Sequence, residues 1–337
     1  MKEGFLRHAV TDGTTIDQHI LEIFRATPDE VVSGEELSSN LKISRTAVWK
    51  HIRNLKALGY RIEAVPSVGY RLVAAPDLLL PEEIAAGLMT ERIGRQIVAF
   101  NETASTNETA FKMAEEGAPE GTVVIAESQS RGKGRMGRRW ESPSGVNLYC
   151  SIILRPPILP LQAVQMTFLS AVAVARGVEE TTRLSPTIKW PNDVLLAGRK
   201  VAGLLNEMGA ETEKVNFIIL GIGVNINMEQ DQFPLDLRHP ATSLRIEAGR
   251  PVNRVEFVRA LLREVDTLYA SYLAGGYGAV REEWLARCAM IGRRVHVSYR
   301  DSAVAGLATG IDEYGALLLA LDDGRVERVL AGDVKLA

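Results

Sequence analysis

Apolar positions in the first 75 residues recur at helical spacing three times and then begin to alternate. Ile16, Ile20, Leu21 and Phe24 fall on one face of a helix, and Leu37 and Leu41 mark the buried side of a shorter second one. Ser33 stands three residues before Glu36, the capping-box spacing in which a serine oxygen takes up a free N–H at a helix start. Ser44 is placed to cap a third helix, which Gly59 ends. On that third helix Ala47, Val48, Ile52, Leu55 and Leu58 gather on one side, and Arg45, Trp49, Arg53 and Lys56 on the other, with Lys50 at its edge. Residues 60–65 and 69–73 then alternate across a Pro66-Ser67 turn and predict a two-stranded wing. Two helices joined by a tight turn, the second basic on its outer face, followed by a wing, predict a winged helix-turn-helix. Arg45, Trp49, Lys50, Arg53 and Lys56 are its candidate DNA contacts.

Pro76 and Pro81 bracket a predicted linker, and a larger unit follows. Apolar runs predict strands over 98–100, 122–128, 147–154, 187–190, 200–208 and 215–227, and helices over 107–116, 161–182 and 253–273. Strands outnumber helices and several are joined by short turns such as Ala197-Gly198, so the pattern predicts a mixed sheet backed by helices rather than a regular βαβ array. From Ile291 onward short strands, broken at Asp312-Glu313-Tyr314-Gly315 and Asp322-Asp323-Gly324, predict a small all-β barrel. The expected class is α+β, with units at 1–76, 77–289 and 290–337.

Composition changes this picture little. Of 337 residues, 46% are apolar and 24% charged, the balance of a soluble globular protein. There are 39 Lys and Arg against 42 Asp and Glu, so the whole chain is not a nonspecific polyanion binder. Between Lys42 and Arg71, however, seven basic residues face the single acid Glu63, which concentrates positive charge on the winged unit. Cys150 and Cys288 lie far apart without metal-ligand spacing and are expected as small buried apolar residues. Residues 1–10 lack a long apolar core and 168–175 is too short to span a bilayer, so the expectation is a cytoplasmic protein with no membrane partner.

The chemistry concentrates in a loop, Arg131-Gly132-Lys133-Gly134-Arg135-Met136-Gly137-Arg138-Arg139, closed by Trp140. Five cations and three glycines stand in nine residues, a composition able to surround a phosphate or to remain a solvated basic loop. Four further segments accompany it: Ser105-Thr106-Asn107, Gln129 just before the loop, Lys189-Trp190-Pro191-Asn192-Asp193 and Gly221-Ile222-Gly223-Val224-Asn225. Lys200 follows the turn at Gly198. Taken singly, Ser105-Thr106-Asn107 also suits a helix cap, Lys189-Trp190 a strand end, and Gly221 with Gly223 a bulge. No Gly-x-x-x-x-Gly-Lys-Ser/Thr run occurs, so ATP would not be held in the P-loop manner.

Together these segments resemble the biotin–protein ligase family over nearly the whole chain, and the winged unit resembles its bifunctional members, which also repress biotin genes. The family loop usually runs Gly-Arg-Gly-Arg-Arg-Gly. Here Lys133 keeps the charge without the bidentate fork, and Met136 loses a charge, so no catalytic role is expected at that position. The resemblance implies a reaction in which biotin and ATP form biotinyl-5′-AMP, whose biotinyl group passes to a lysine of a biotin carboxyl carrier protein. It implies that Ser105, Thr106, Asn107 and Gln129 bind the ureido ring of biotin. Gly132, Lys133, Gly134 and Arg135 would close over carboxylate and phosphate, Lys189 and Lys200 would reach the phosphates or the acyl phosphate oxygen, with Lys133, Gly134, Arg135 and Lys200 also binding biotin, and Arg135, Lys189 and Lys200 would be the catalytic cations. Asp193 and Asn225 would serve Mg²⁺, and Asn225 also the nucleotide. Operator DNA, a ligand-promoted homodimer and the adenylate as corepressor complete the implied partners. Two other readings fit the residues less well. A pure ligand-sensing regulator has no need of both Lys189 and Lys200, and a lipoate-transferring relative has no ureido ring to occupy the polar Ser105 to Gln129 set.

Overall fold

The computed structural model describes residues 5–7, 16–235, 237, 240–299 and 302–336. Chain order opens with β1 (Phe5–Arg7), α1 (Ile16–Ala26), α2 (Gly34–Leu41), α3 (Arg45–Ala57), β2 (Arg61–Val65) and β3 (Gly69–Ala74). The expected caps form: Ser33 Oγ accepts from Glu36 N at 3.0 Å, and Ser44 Oγ from Ala47 N at 3.2 Å. Ile20, Leu21, Phe24, Leu37, Val48, Ile52 and Leu55 close one core between the three helices. β2 and β3 pair antiparallel as the wing, and Val32 bridges to Tyr70 at its base. Gly69 is required there, since a Cβ would stand 2.1 Å from the Val32 carbonyl oxygen.

The central unit comprises α4 (Pro81–Ala85), β4 (Ile97–Thr103), α5 (Thr106–Glu115), β5 (Val123–Gln129), β6 (Leu148–Leu154), α6 (Val164–Thr182), β7 (Thr187–Lys189), β8 (Asp193–Leu196), β9 (Arg199–Ala210), β10 (Val215–Val224), α7 (Leu244–Ala248), α8 (Arg254–Gly275) and α9 (Gly278–Arg287). Its eight strands run β1-β4-β5-β6-β10-β9-β8-β7. β4 and β5 are parallel across the α5 crossover and the remaining pairs are antiparallel. β1 pairs with β4, Phe5 opposite Phe100, so residues 5–7 lie on the central sheet rather than on the winged unit. α6 and α8 bury one face of the sheet, whereas α5 covers only part of the other, over Val98, Val124, Ile153 and Phe217. The uncovered part is where the pocket lies. The segment 160–182 is long and apolar enough to cross a membrane, but 72% of its apolar window is buried and α6 within it is a core helix. Cys150 is buried and unbridged, and burial pushes its thiol up to about 12.

Residues 76–81 were expected as a linker and prove to be a packed junction. The Leu79 side chain enters the central core and the next residue, Leu80, enters the winged core. Alternate residues of an extended chain point to opposite sides, so two neighbours can serve two cores. Arg25 and Tyr60 of the winged unit both bond the buried Glu83 of α4, Arg25 at 2.5 Å.

β11 (Arg294–Tyr299), β12 (Ser302–Ile311), β13 (Leu317–Ala320), β14 (Val326–Val329) and β15 (Asp333–Leu336) form a five-stranded antiparallel sheet in the order β14-β13-β12-β11-β15. Its core residues Val295, Val297, Leu317 and Leu319 are continuous with the central core. Trp190 Nε1 donates to the Gly315 carbonyl at 3.0 Å and fastens the two units beside the pocket.

Candidate active site

Three glycines make the pocket floor. A Cβ on Gly223 would lie 2.7 Å from the Trp140 ring, one on Gly203 2.8 Å from the same ring, and one on Gly221 2.2 Å from Asn107 Oδ1. β10 pairs regularly with β6 and β9 through Gly221 and Gly223, so their role is clearance rather than a bulge. The Trp140 ring packs over Gly203 and Gly223 of this floor, and the Lys200 ammonium stands 5.3 Å from its ring centroid, within cation–π range.

The cationic loop forms the lid. Gly134 N donates to the Arg138 carbonyl at 2.7 Å, and Lys133 bridges to Arg139, which folds the loop into a narrow hairpin. Protein groups hold its cations: Glu108 pairs with Lys133 at 2.9 Å and Arg131 at 3.2 Å, Arg138 pairs with Asp333, and Arg135 Nη1 donates to Asn192 Oδ1 at 3.0 Å. Burial moves the Arg135 guanidinium below the usual arginine range, while Asp193 and Asp333 act in the opposite sense. The Met136 side chain is exposed to solvent.

One end of the pocket is neutral and polar. Ser105, Thr106 and Asn107 are buried where α5 begins, and the Ser105 side chain makes no capping bond, so the simple cap reading does not apply. Asn107 Nδ2 donates to the Leu205 carbonyl at 2.9 Å and to Glu207 Oε2 at 2.8 Å, while Asn107 Oδ1 accepts from Ser151 Oγ at 2.7 Å. Gln129 Oε1 accepts from Thr106 N at 2.8 Å and Thr106 Oγ1 at 3.2 Å, and Gln129 Nε2 donates to Ser142 Oγ at 3.0 Å. Both amides are therefore oriented. Asn107 retains acceptor capacity and Gln129 retains an N–H.

The other end is charged. Lys189 and Asp193 face each other across the β7–β8 pair, and Lys200 Nζ lies 2.6 Å from Asp193 Oδ1. Burial pushes the Lys189 ammonium below the ordinary lysine range; nearby Asp193 opposes this and Lys200 adds to it. Gly332, Asp333 and Val334 of the C-terminal sheet complete this wall.

Ten of the expected site residues line this one pocket: Ser105, Thr106, Asn107, Gln129, Lys133, Gly134, Arg135, Lys189, Asp193 and Lys200. Gly132 stands at the base of the lid, outside the lining, its carbonyl accepting from Trp140 N at 2.9 Å. Asn225 is not brought into the lining. It is buried past the end of β10, where its N–H bonds the Val201 carbonyl and its Nδ2 the Thr242 carbonyl, so the structure offers no geometry for the metal or nucleotide role expected of it. No group of three or more His, Cys, Asp or Glu side chains suited to a metal occurs among the described residues. Ser151, Glu207, Glu108 and Asp333 contribute to the site from outside the segments the sequence marks, and Asn192 contributes from within one of them without a role of its own expected there. Each acts on a partner between 23 and 195 residues away, so no local spacing betrays it.

On the winged unit, Arg45, Trp49, Lys50, Arg53 and Lys56 are all exposed on the side of α3 opposite buried Val48, Ile52 and Leu55. The Arg53 guanidinium lies 5.3 Å from the Trp49 ring centroid.

Three family models match successive parts of the chain. Residues 17–71 match an HTH domain, 99–225 the biotin/lipoate A/B protein ligase family, and 290–336 the biotin protein ligase C terminal domain. The chain is 39% identical over 324 residues to the bifunctional ligase/repressor BirA of Bacillus subtilis (strain 168), covering 96% of this chain and 99% of that protein. It is 36% identical over 226 residues to a biotin–[acetyl-CoA-carboxylase] ligase of Paracoccus denitrificans, which takes up 66% of this chain and 93% of that shorter protein. The fold matches a biotin protein ligase from Aquifex aeolicus, solved in complex with biotin and ATP, with a TM-score of 0.62 and 26% identity over 72% of this chain and 98% of that one. An HTH domain, a ligase domain and the ligase C-terminal domain in one chain, alike end to end with ligase/repressors, establish that the chain belongs to the biotin protein ligase family in its bifunctional ligase/repressor form.

Proposed function

We propose that this pocket joins the carboxylate of biotin to the α-phosphate of ATP and then passes the biotinyl group to a lysine of a biotin carboxyl carrier protein. In the first step a carboxylate oxygen bonds to the α-phosphorus, the α–β phosphoanhydride bond breaks, and pyrophosphate leaves. In the second the lysine amine bonds to the acyl carbon, loses a proton, and expels AMP. The observation that carries the reading is the division of one pocket into two chemically opposite ends. Asn107 with acceptor capacity and Gln129 with a free N–H complement a cyclic urea, which has N–H donors and a carbonyl acceptor. A dithiolane has neither, which favours biotin over lipoate. At the charged end Lys133, Arg135, Lys189 and Lys200 offset the repulsion between two anions and stabilise charge on the transferring phosphorus.

Arg135, Lys189 and Lys200 are the catalytic cations in this reading, and Gly132, Lys133 and Gly134 cover the reacting groups. Asp193 is the carboxylate suited to Mg²⁺, since that ion keeps several waters and takes one or two carboxylates beside substrate phosphates. Bound there, Mg²⁺ would neutralise phosphate charge. Biotinyl-5′-AMP, held under the lid, would also act as corepressor. It would favour a homodimer whose two α3 helices engage a two-part operator in the cytoplasm, with Arg45, Trp49, Lys50, Arg53 and Lys56 as contacts.

The test is incubation with ATP, Mg²⁺, biotin and a carrier domain, followed by mass measurement of the carrier. The expected result is gain of one biotinyl group with biotin and none with lipoate. An unchanged carrier, or equal gain with lipoate, would overturn the reading.

A further inference from the structure

We propose that Glu207 is a positioning residue for substrate choice, acting through Asn107 to make the neutral end of the pocket accept a ring N–H. This rests on the functional reading above and adds the residue that sets its selectivity. Asn107 lies over Gly221, between Ser151 of β6 and Leu205 of β9, the two residues that flank Gly221 in the sheet. An asparagine amide in such a place has two orientations related by a half-turn, and they present opposite chemistry to a ligand. In the observed orientation Nδ2 meets two acceptors, the Leu205 carbonyl and the Glu207 carboxylate, and Oδ1 meets the Ser151 hydroxyl.

In the reversed orientation Oδ1 would face both the carbonyl and the carboxylate, oxygen against oxygen. Ser151 does not decide between the two, because a hydroxyl donates or accepts equally well. The carbonyl of Leu205 is present whatever the side chains are. Glu207 is therefore the replaceable group that holds Asn107 as an acceptor, and it does so from behind the pocket, outside the lining. Gln129 is held in the complementary sense by Thr106 and Ser142. The pair then tests a substrate for an N–H beside a carbonyl.

The experiment measures pyrophosphate exchange by the full chain with biotin and with a biotin analogue methylated on a ring nitrogen. Glu207→Ala should raise the KM for biotin on the order of tenfold, the worth of a hydrogen bond to a charged group, with kcat and the KM for ATP little changed. Discrimination against the methylated analogue should shrink by a similar factor. Glu207→Gln, whose amide oxygen still accepts from Asn107, should restore most of both. Should Glu207→Ala not fold, the near-isosteric Glu207→Met answers the same question. Equal losses for biotin and the analogue, or a loss confined to kcat, would make Glu207 a structural strand residue and overturn the proposal. Absence of any biotin-dependent exchange in the unaltered chain would instead overturn the functional reading itself.

Discussion

Lys189 carries its charge at a position that resists it. Burial lowers its pKa, and the neighbouring Lys200 lowers it further against the pull of Asp193. A lowered pKa means that the proton leaves at a lower pH than it does from an exposed lysine, whose ordinary value is about 10.4. The cationic form that faces phosphate is thus complete on the acid side and lost early on the alkaline side. Pyrophosphate exchange should begin to fall below the pH at which an ordinary lysine titrates, and Lys189→Arg, which stays charged throughout, should flatten that alkaline limb even at a reduced rate. Lys189→Ala should slow exchange by about 10²–10³-fold, the usual effect of removing one group that stabilises transition-state charge. Near-normal exchange would exclude it from the chemistry. Arg135 differs because its contact to Asn192 fastens the lid to the floor. Arg135→Gly should release biotinyl-5′-AMP faster, on the order of tenfold by the energy of a charge-assisted hydrogen bond, in a chase with unlabelled biotin.

Among the elements, α8 has the start most deeply tied to the rest. Arg254, fully buried at its first residue, bonds Glu127 of β5 at 2.8 Å and Asp77 at 3.0 Å, and Leu79 N donates to the same Glu127 at 2.7 Å. One guanidinium thus joins a helix, the junction between units, and the strand that ends in Gln129. Arg254→Met leaves the Glu127 carboxylate buried without its cation and should cost about 3–5 kcal/mol in urea unfolding. Arg254→Met with Glu127→Gln should recover much of that, because the amide oxygen still accepts from Leu79 N without a charge to bury. Such a junction was not legible in the sequence, where Pro76 and Pro81 suggested a loose connection. α1, α2, α3, α6 and α8 were legible because each has an apolar face at helical spacing, and β5, β6 and β10 because their apolar runs are long. β8 was missed, since four residues between Asn192 and the Ala197-Gly198 turn are too few to show a period. Ser105-Thr106-Asn107 and the loop were legible as motifs, but the residues that orient them, Ser151 and Glu207, stand in strands where a lone polar side chain carries no spacing signal.

At the scale of the molecule, the winged unit and the ligase unit share a boundary rather than a tether. Leu79 and Leu80 anchor opposite cores, Glu83 takes both Arg25 and Tyr60 from the winged side, and Arg259 of α8 donates to the Glu83 carbonyl. Removing residues 1–75 severs the winged half of these contacts and takes the edge strand β1 off the central sheet beside β4. The pocket, its lid and the C-terminal wall all lie beyond residue 104, so adenylate formation should survive the truncation. Operator binding should vanish, because every exposed basic residue of α3 is gone. Stability should fall as well, since Leu80 loses its apolar surroundings and the buried Glu83 loses Arg25 and Tyr60. At roughly 2–4 °C in melting temperature per kcal/mol for a unit of this size, the loss should be readable by thermal melting. Replacing Leu80 by Ser in the truncated chain should remove the exposed apolar side chain and restore solubility without returning DNA binding. Specific operator binding by residues 76–337 in a gel-shift assay would place recognition outside α3 and the wing, and loss of adenylate formation would mean that the winged unit helps to build the pocket rather than merely adjoining it.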